Sequence, residues 1–243
     1  MTWSIIARDP ETGRLGLAVT TKFFAVGAVC AFGAGRVGVV ATQAFVNPLF
    51  GVDGLRLLAE GRPPEEVVAI LTAGDPGAGS RQLHVLTADG RTARHTGGDC
   101  IDWCGHLAGD GVSVAGNMLA GPDVVAATLA TFEARRDLPF SDRLIAALDA
   151  GQAEGGDKRG KQSAALKIWD GEPYPVLDLR VDDHPEPLAE LRRLHEVSFE
   201  RFAAFMEAVP TRLRPGGMPD RSWVDRRTAE LLAGRDALKA RHD

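Results

Sequence analysis

The chain has 243 residues, a formal net charge of −5, 44% hydrophobic and 25% charged residues. This is an ordinary globular composition, so a disordered or collagen-like chain is excluded. The mild acidity speaks against nucleic acid or an anionic membrane as partner, because both call for a basic surface.

Three cysteines, Cys30, Cys100 and Cys104, are an odd and low number. They read as reduced thiols, not as a disulfide scaffold. The first ten residues show no charged leader followed by an apolar run. The longest apolar stretch, 23–35, is too short and too glycine-rich to span a bilayer. The expectation is a cytoplasmic protein with no membrane partner.

In chain order, strands are expected at 3–7 and 15–20, joined by the Asp9–Gly13 turn as a hairpin. Further strands are expected at 24–29 and 37–42, the latter apolar on both faces. Helices follow at 53–60 and 63–73, the second opening with Pro and two Glu. Strands return at 82–87 and 92–96 around Asp89-Gly90, a strong hairpin signal, and at 111–116. Helices at 122–135 and 141–150 precede strands at 163–169 and 176–181. Helices in pairs, not one between successive strands, favour antiparallel sheets with helices packed outside over a doubly wound parallel sheet. From His184 the apolar spacing turns helical. The tail carries 11 Lys/Arg against 10 Asp/Glu, so it is no basic arm. The division expected is a main domain over 1–183 and a helical extension over 184–243.

The chemistry begins at Thr2. Methionine aminopeptidases remove an initiator Met before a small residue. A threonine hydroxyl beside its own α-amine, with a pKa of about 8, is then a nucleophile with its base attached. Lys22, at the end of the second strand, is a cation that could keep such an amine neutral. Gln43 and Asn47 follow a buried strand, where amides can donate to an oxyanion or simply form turns. The loop Gly155 to Leu166 packs glycines with Lys158, Arg159, Lys161 and Gln162, a composition able to grip a carboxylate or phosphate. Its spacing is not that of a P-loop. Gly33-Ala-Gly35-Arg-Val-Gly38 matches a dinucleotide fingerprint literally, but a strand and not a helix follows it. It reads as a turn between strands. Cys100, Cys104 and His106, with His95 upstream, make a weak zinc pattern, set against a loop of thiols around Trp103.

Met1-Thr2-Trp3-Ser4-Ile5, Lys22-Phe23-Phe24-Ala25-Val26-Gly27, Ala41-Thr42-Gln43-Ala44, Asn47-Pro48, Gly116-Asn117-Met118-Leu119 and the 155–166 loop occur in this order. Together they resemble the domain of unknown function 1028 family, regarded as Ntn-hydrolase-like, over roughly residues 1 to 183. The chain departs from the family at Trp3, where another aromatic is more usual, and at Thr20-Thr21, where small residues are usual. The resemblance implies an α+β fold, the four-layer αββα sandwich of Ntn hydrolases with a short helical C-terminal appendage. It implies Thr2 as nucleophile, Lys22 tuning its amine, and Asp157 and Ser163 beside it. Gln43 and Asn117 become candidates for oxyanion or substrate contact, with Asn47, Arg159 and Gln162 as further substrate-binding candidates. Leu188 to Leu194 and Trp223-Val224-Asp225 resemble a C-terminal module of longer members, whose activity is not carried over.

The leading expectation is a hydrolase of an amide bond in a small anionic metabolite, working without cofactor or metal, as a homodimer. The rivals are a non-catalytic binding protein on the same scaffold and, below it, a zinc hydrolase built on Cys100, Cys104 and His106 or His95.

Overall fold

A computed structural model describes residues 2–242. The chain forms two compact units, residues 1–191 and 192–243.

The first unit holds two antiparallel sheets. The six-stranded sheet runs in the order β10-β9-β2-β1-β8-β7, built from β1 (Thr2–Arg8), β2 (Leu15–Thr21), β7 (Trp103–Gly109), β8 (Val112–Leu119), β9 (Ser163–Trp169) and β10 (Pro175–Val181). The four-stranded sheet is β3-β4-β5-β6, with β3 (Ala31–Ala34), β4 (Gly38–Ala44), β5 (Arg81–Thr87) and β6 (Thr92–Thr96). Helices α2 (Pro48–Ala59) and α3 (Pro64–Ala73) lie against the smaller sheet. Helices α4 (Pro122–Ala134) and α5 (Phe140–Ala153) lie against the larger one. The remaining faces of the two sheets meet, β1 and β2 against β4, β1 and β8 against β5.

Side chains alternate across each strand, so odd and even positions serve different layers. Ile6, Leu17, Val19, Val39 and Leu86 fill the space between the sheets. Val40, Leu83 and Val85 face the other way, onto Leu57, Val67 and Leu71 of the helices. The helix starts follow local chemistry. Asn47 caps α2, its side chain accepting from the Leu49 N–H. Glu65 and Glu66 occupy the first turn of α3.

Three expectations are corrected. Residues 24–29 are not a strand: Ala25 sits in the left-handed region at φ 52° and turns the chain into the short helix α1 (Val26–Val29). The thiol segment expected as a loop is partly β7, an edge strand whose two glycines hide the alternation. And α2 starts five residues before the expected Asp53, at the Pro48 that its cap dictates. The Gly33–Gly38 motif is the β3–β4 hairpin. There Gly33 lies under the Trp169 ring, which a Cβ would meet at 2.7 Å.

Helix α6 (Pro187–Ser198) runs across the boundary between the units. In the second unit, α7 (Phe202–Ala208) and α8 (Arg221–His242) pack Ala204 and Ala208 against Val224. Arg235 of α8 pairs with Glu196 at 2.5 Å, and Lys239 reaches the same carboxylate at 2.9 Å.

Candidate active site

The space between the sheets is apolar at one end and polar at the other. Ser4, Gln82, His84, Ser113 and Asn117 are all at most 1% exposed, and Gln43 is 2%. Buried polar groups are tolerated when they satisfy one another, and the direction of each bond here can be deduced. Gln43 Nε2 donates to the Ala115 carbonyl at 3.0 Å and to Gln82 Oε1 at 2.8 Å. A carbonyl only accepts, so the Gln43 amide has one orientation. Its Oε1 then faces Ser4, whose hydroxyl donates to it at 2.8 Å. Ser4 has spent its proton and must accept from His84 Nε2 at 2.8 Å. His84 is therefore the neutral Nε2–H tautomer, and its Nδ1 accepts from the Ser113 hydroxyl at 3.0 Å. Burial, with a smaller contribution from His106, pushes the His84 imidazole down to about 3, which keeps it neutral. Gln82 Nε2 donates to the Gly116 carbonyl at 2.9 Å, and Asn117 Nδ2 to Gln82 Oε1 at 3.0 Å. Asn117 also reaches the Thr2 carbonyl at 3.4 Å.

The network ends at Thr2. By alternation Thr2 shares the Ser4 face of β1, and its hydroxyl donates to Thr21 Oγ1 at 3.2 Å. Thr2 is 7% exposed and opens on a pocket of about 460 Å³ walled by Phe23, Val26, Cys30, Phe45, Val46 and Arg159.

Two loops form the walls, and several expected site residues hold them. Asp157 accepts from the Lys22 N–H at 2.7 Å and the Arg159 N–H at 2.8 Å. Ser163 accepts from the Val26 N–H at 3.1 Å and donates to the Phe23 carbonyl at 2.6 Å. These two side chains fix segment 22–26. On the other side Asn47 donates to Asp75 at 3.0 Å, and Asp75 is paired with Arg81 at 2.9 Å. Arg81 in turn donates to the Phe45 carbonyl. Arg81 holds the Asp75 carboxyl down to about 2, with help from the Gly77 N–H and Asn47. Ala25, Ala44 and Met118, three non-glycine residues at positive φ, border the site at 52°, 68° and 53°. Such backbone strain gathers at functional sites.

The structure thus brings Thr2, Asn117, Gln43, Asp157 and Ser163 to one end of the paired sheets. Several roles differ from those expected. Lys22 enters through its backbone, while its exposed ammonium turns to the Lys161 carbonyl at 3.1 Å. The hydroxyl beside Thr2 is that of Thr21. Both amide hydrogens of Gln43, and both of Asn117, go to protein acceptors, so neither side chain is an open oxyanion donor. Asn47 is a helix cap. Gln162 donates to Asp183 at 3.1 Å, and its own N–H to the Thr21 carbonyl at 2.9 Å. Among the described residues, Cys100, Cys104, His95 and His106 do not bring three ligand atoms within 4.8 Å of one another. Met1, on whose removal the free amine depends, lies outside the described residues. Sequence reasoning missed Thr21, Ser4, Gln82, His84 and Ser113. The available signal was a polar residue at an inward position of an otherwise apolar strand, as in Gln82-Leu83-His84-Val85.

The fold and the site define a mixed α/β protein with paired antiparallel sheets and a threonine-bearing pocket at their polar end. The chain belongs to the family of unknown function DUF1028, whose model matches residues 2–191. It is similar to a protein of Silicibacter pomeroyi assigned to the same family and known from a crystal structure, at 32% identity and a TM-score of 0.83. That likeness covers 90% of this chain and 99% of the other. A search of curated proteins finds no match. Among the described residues no helix is long and apolar enough to cross a membrane.

Proposed function

We propose that the protein is an N-terminal-nucleophile hydrolase that cleaves an amide bond in a small anionic metabolite. The fold half of this reading is an Ntn-type four-layer αββα sandwich. It is supported by α2 and α3 on one outer sheet face and α4 and α5 on the other. The observation that carries the chemistry is the place of Thr2. It is the first residue of a buried central strand, its hydroxyl is on the inter-sheet face, and it lines the pocket.

With Met1 removed, the α-amine takes the proton of the Thr2 hydroxyl as Oγ1 bonds to the substrate carbonyl carbon. That proton passes to the leaving nitrogen as the C–N bond breaks. Water then attacks the Thr2 ester, releasing the acid and restoring the hydroxyl. Because the Gln43 and Asn117 amides are engaged, neither is assigned to the oxyanion in this scheme.

The test pairs intact mass with turnover. Untagged protein should lack one methionine residue and release amine from an amide library, and Thr2→Ala should abolish release while keeping the thermal midpoint. A protein that retains Met1, or a Thr2→Ala variant with full activity, overturns the hydrolase reading. Retained Met1 together with ligand binding would establish the non-catalytic alternative.

A further inference from the structure

We propose that the pocket beside Thr2 takes an N-acylated amino acid, with an apolar acyl chain inside and the carboxylate held by Arg159. This uses the hydrolase reading only to place the scissile amide at Thr2.

Among the described residues the pocket walls combine an apolar lining with a single kind of charge. Apart from Thr2, the polar wall side chains among the described residues are Thr42, Gln43 and Arg159. Gln43 gives its two hydrogens to Gln82 and Ala115. The Thr42 hydroxyl donates to the Asn47 carbonyl at 3.1 Å. A polar acyl half set against Gln43 and Thr42, such as a second carboxylate or an amide, would lose its water and gain no matching donor from them, a costly exchange. An apolar chain loses nothing. Phe23 and Phe45 stand at the mouth with 54% and 75% of their surface exposed, apolar area that such a chain would cover. The Cys30 thiol on the wall is pushed up to about 12 by burial, so it stays a neutral, apolar surface. Arg159 is the charged side chain on the wall among the described residues. Its side chain pairs with Asp157 at 3.4 Å and is 43% exposed, and a guanidinium carries five N–H groups for planar acceptors. The size, about 460 Å³, is that of a small-molecule site.

The experiment measures binding of N-acetyl-, N-butanoyl- and N-hexanoylglycine, and of N-hexanoylglycine methyl ester, to full-length Thr2→Ala by calorimetry. Alanine keeps a small second residue and removes the nucleophile. Affinity should rise about fourfold, as an upper value, for each added methylene. The ester should bind about tenfold more weakly than the acid. Arg159→Gln should bring the acid down to the level of the ester, and Phe45→Ser should flatten the chain-length series. Equal binding along the series, equal binding of acid and ester, or no binding at all overturns the proposal. The two readings fail separately. If the series binds as described but wild-type protein with free Thr2 releases no glycine, the hydrolase reading falls and this one stands. If wild type turns over only amides with small polar acyl groups, this one falls and the hydrolase reading stands.

Discussion

Acidification should destabilise the first unit well before its carboxylates titrate, and His84 is the cause. An ordinary histidine has a pKa of 6.5, and burial holds His84 down to about 3. Below 6.5 the unfolded chain takes up a proton that the folded chain refuses, so falling pH favours unfolding. The contribution is complete above 6.5 and declines down to about 3. The slope is about 1.4 kcal/mol per pH unit, so lowering the pH from about 7 to about 5 spans roughly 1.5 effective units and removes about 2 kcal/mol. His106 is also shifted down, by burial and by Arg94, and acts in the same direction. The comparison therefore needs His84→Gln, in which only the His84 share of the slope disappears. Urea unfolding followed through the backbone amide signals of β1, β5 and β8 reports the free energy at each pH. Nitrogen-15 spectra of the imidazole report the tautomer directly. Titration of His84 between about pH 5 and 7, a proton on Nδ1, or the same pH slope for wild type and His84→Gln would each overturn this account of His84.

Other outcomes follow from the loops and from the second unit. Ser163→Ala strands the buried Val26 N–H and should cost roughly 1–3 kcal/mol. The thermal midpoint should fall, and hydrogen exchange should quicken at 23–26 before it quickens in β9. Asp75→Asn leaves Arg81, 15% exposed, without its carboxylate and should loosen segment 44–47, seen as faster exchange of the Phe45 amide. In the wild type, Asp75 stabilises fully above its ordinary 3.8, and that contribution is lost as pH falls through about 2. In the second unit Arg235, ahead of Lys239, holds Glu196 down to about 2 from 4.5. Its stabilising contribution is likewise present above 4.5 and lost towards 2. Glu196→Gln should lower the helical signal of that unit on heating, and the loss should be constant between about pH 5.5 and 7 and shrink as the pH falls from 4.5 towards 2.

Much of the fold could be read from local chemistry. The Asp9–Gly13 and Asp89-Gly90 turns, the helix pairs and the strand at 163–169 all depend on neighbours in sequence. Segment 24–29 could not be read this way. Its valines look like a strand, but Ser163, 137 residues away, supplies the acceptor for the Val26 N–H that fixes the turn into α1. The same holds for the site. Thr2 was visible because a threonine before a strand is a local pattern. The network behind it was not, because Ser4 finds Gln43 at a separation of 39 residues and His84 at 80. Sequence shows which residues carry donors and not where those donors go. That is why Gln43 and Asn117 looked like free amides and are committed ones.

That commitment bears on how a site here would work. A buried amide with a spare hydrogen can rotate and re-pair, and the residue it supports then shifts with it. In this network the Ala115 and Gly116 carbonyls fix Gln43 and Gln82, those two orient Ser4 and Asn117, and the bond direction runs on to His84 and Ser113. No member can reverse without leaving a buried group unpaired, which costs roughly 1–3 kcal/mol. The Thr2 carbonyl is attached to this lattice through Asn117, and β1 is hydrogen-bonded on both sides, to β2 and to β8. A nucleophile placed there is held by its backbone, with the Thr21 hydroxyl accepting from its own. On the proposed chemistry the base is the residue's own amine, so rigid backbone placement is the support that the reaction requires from the surrounding chain.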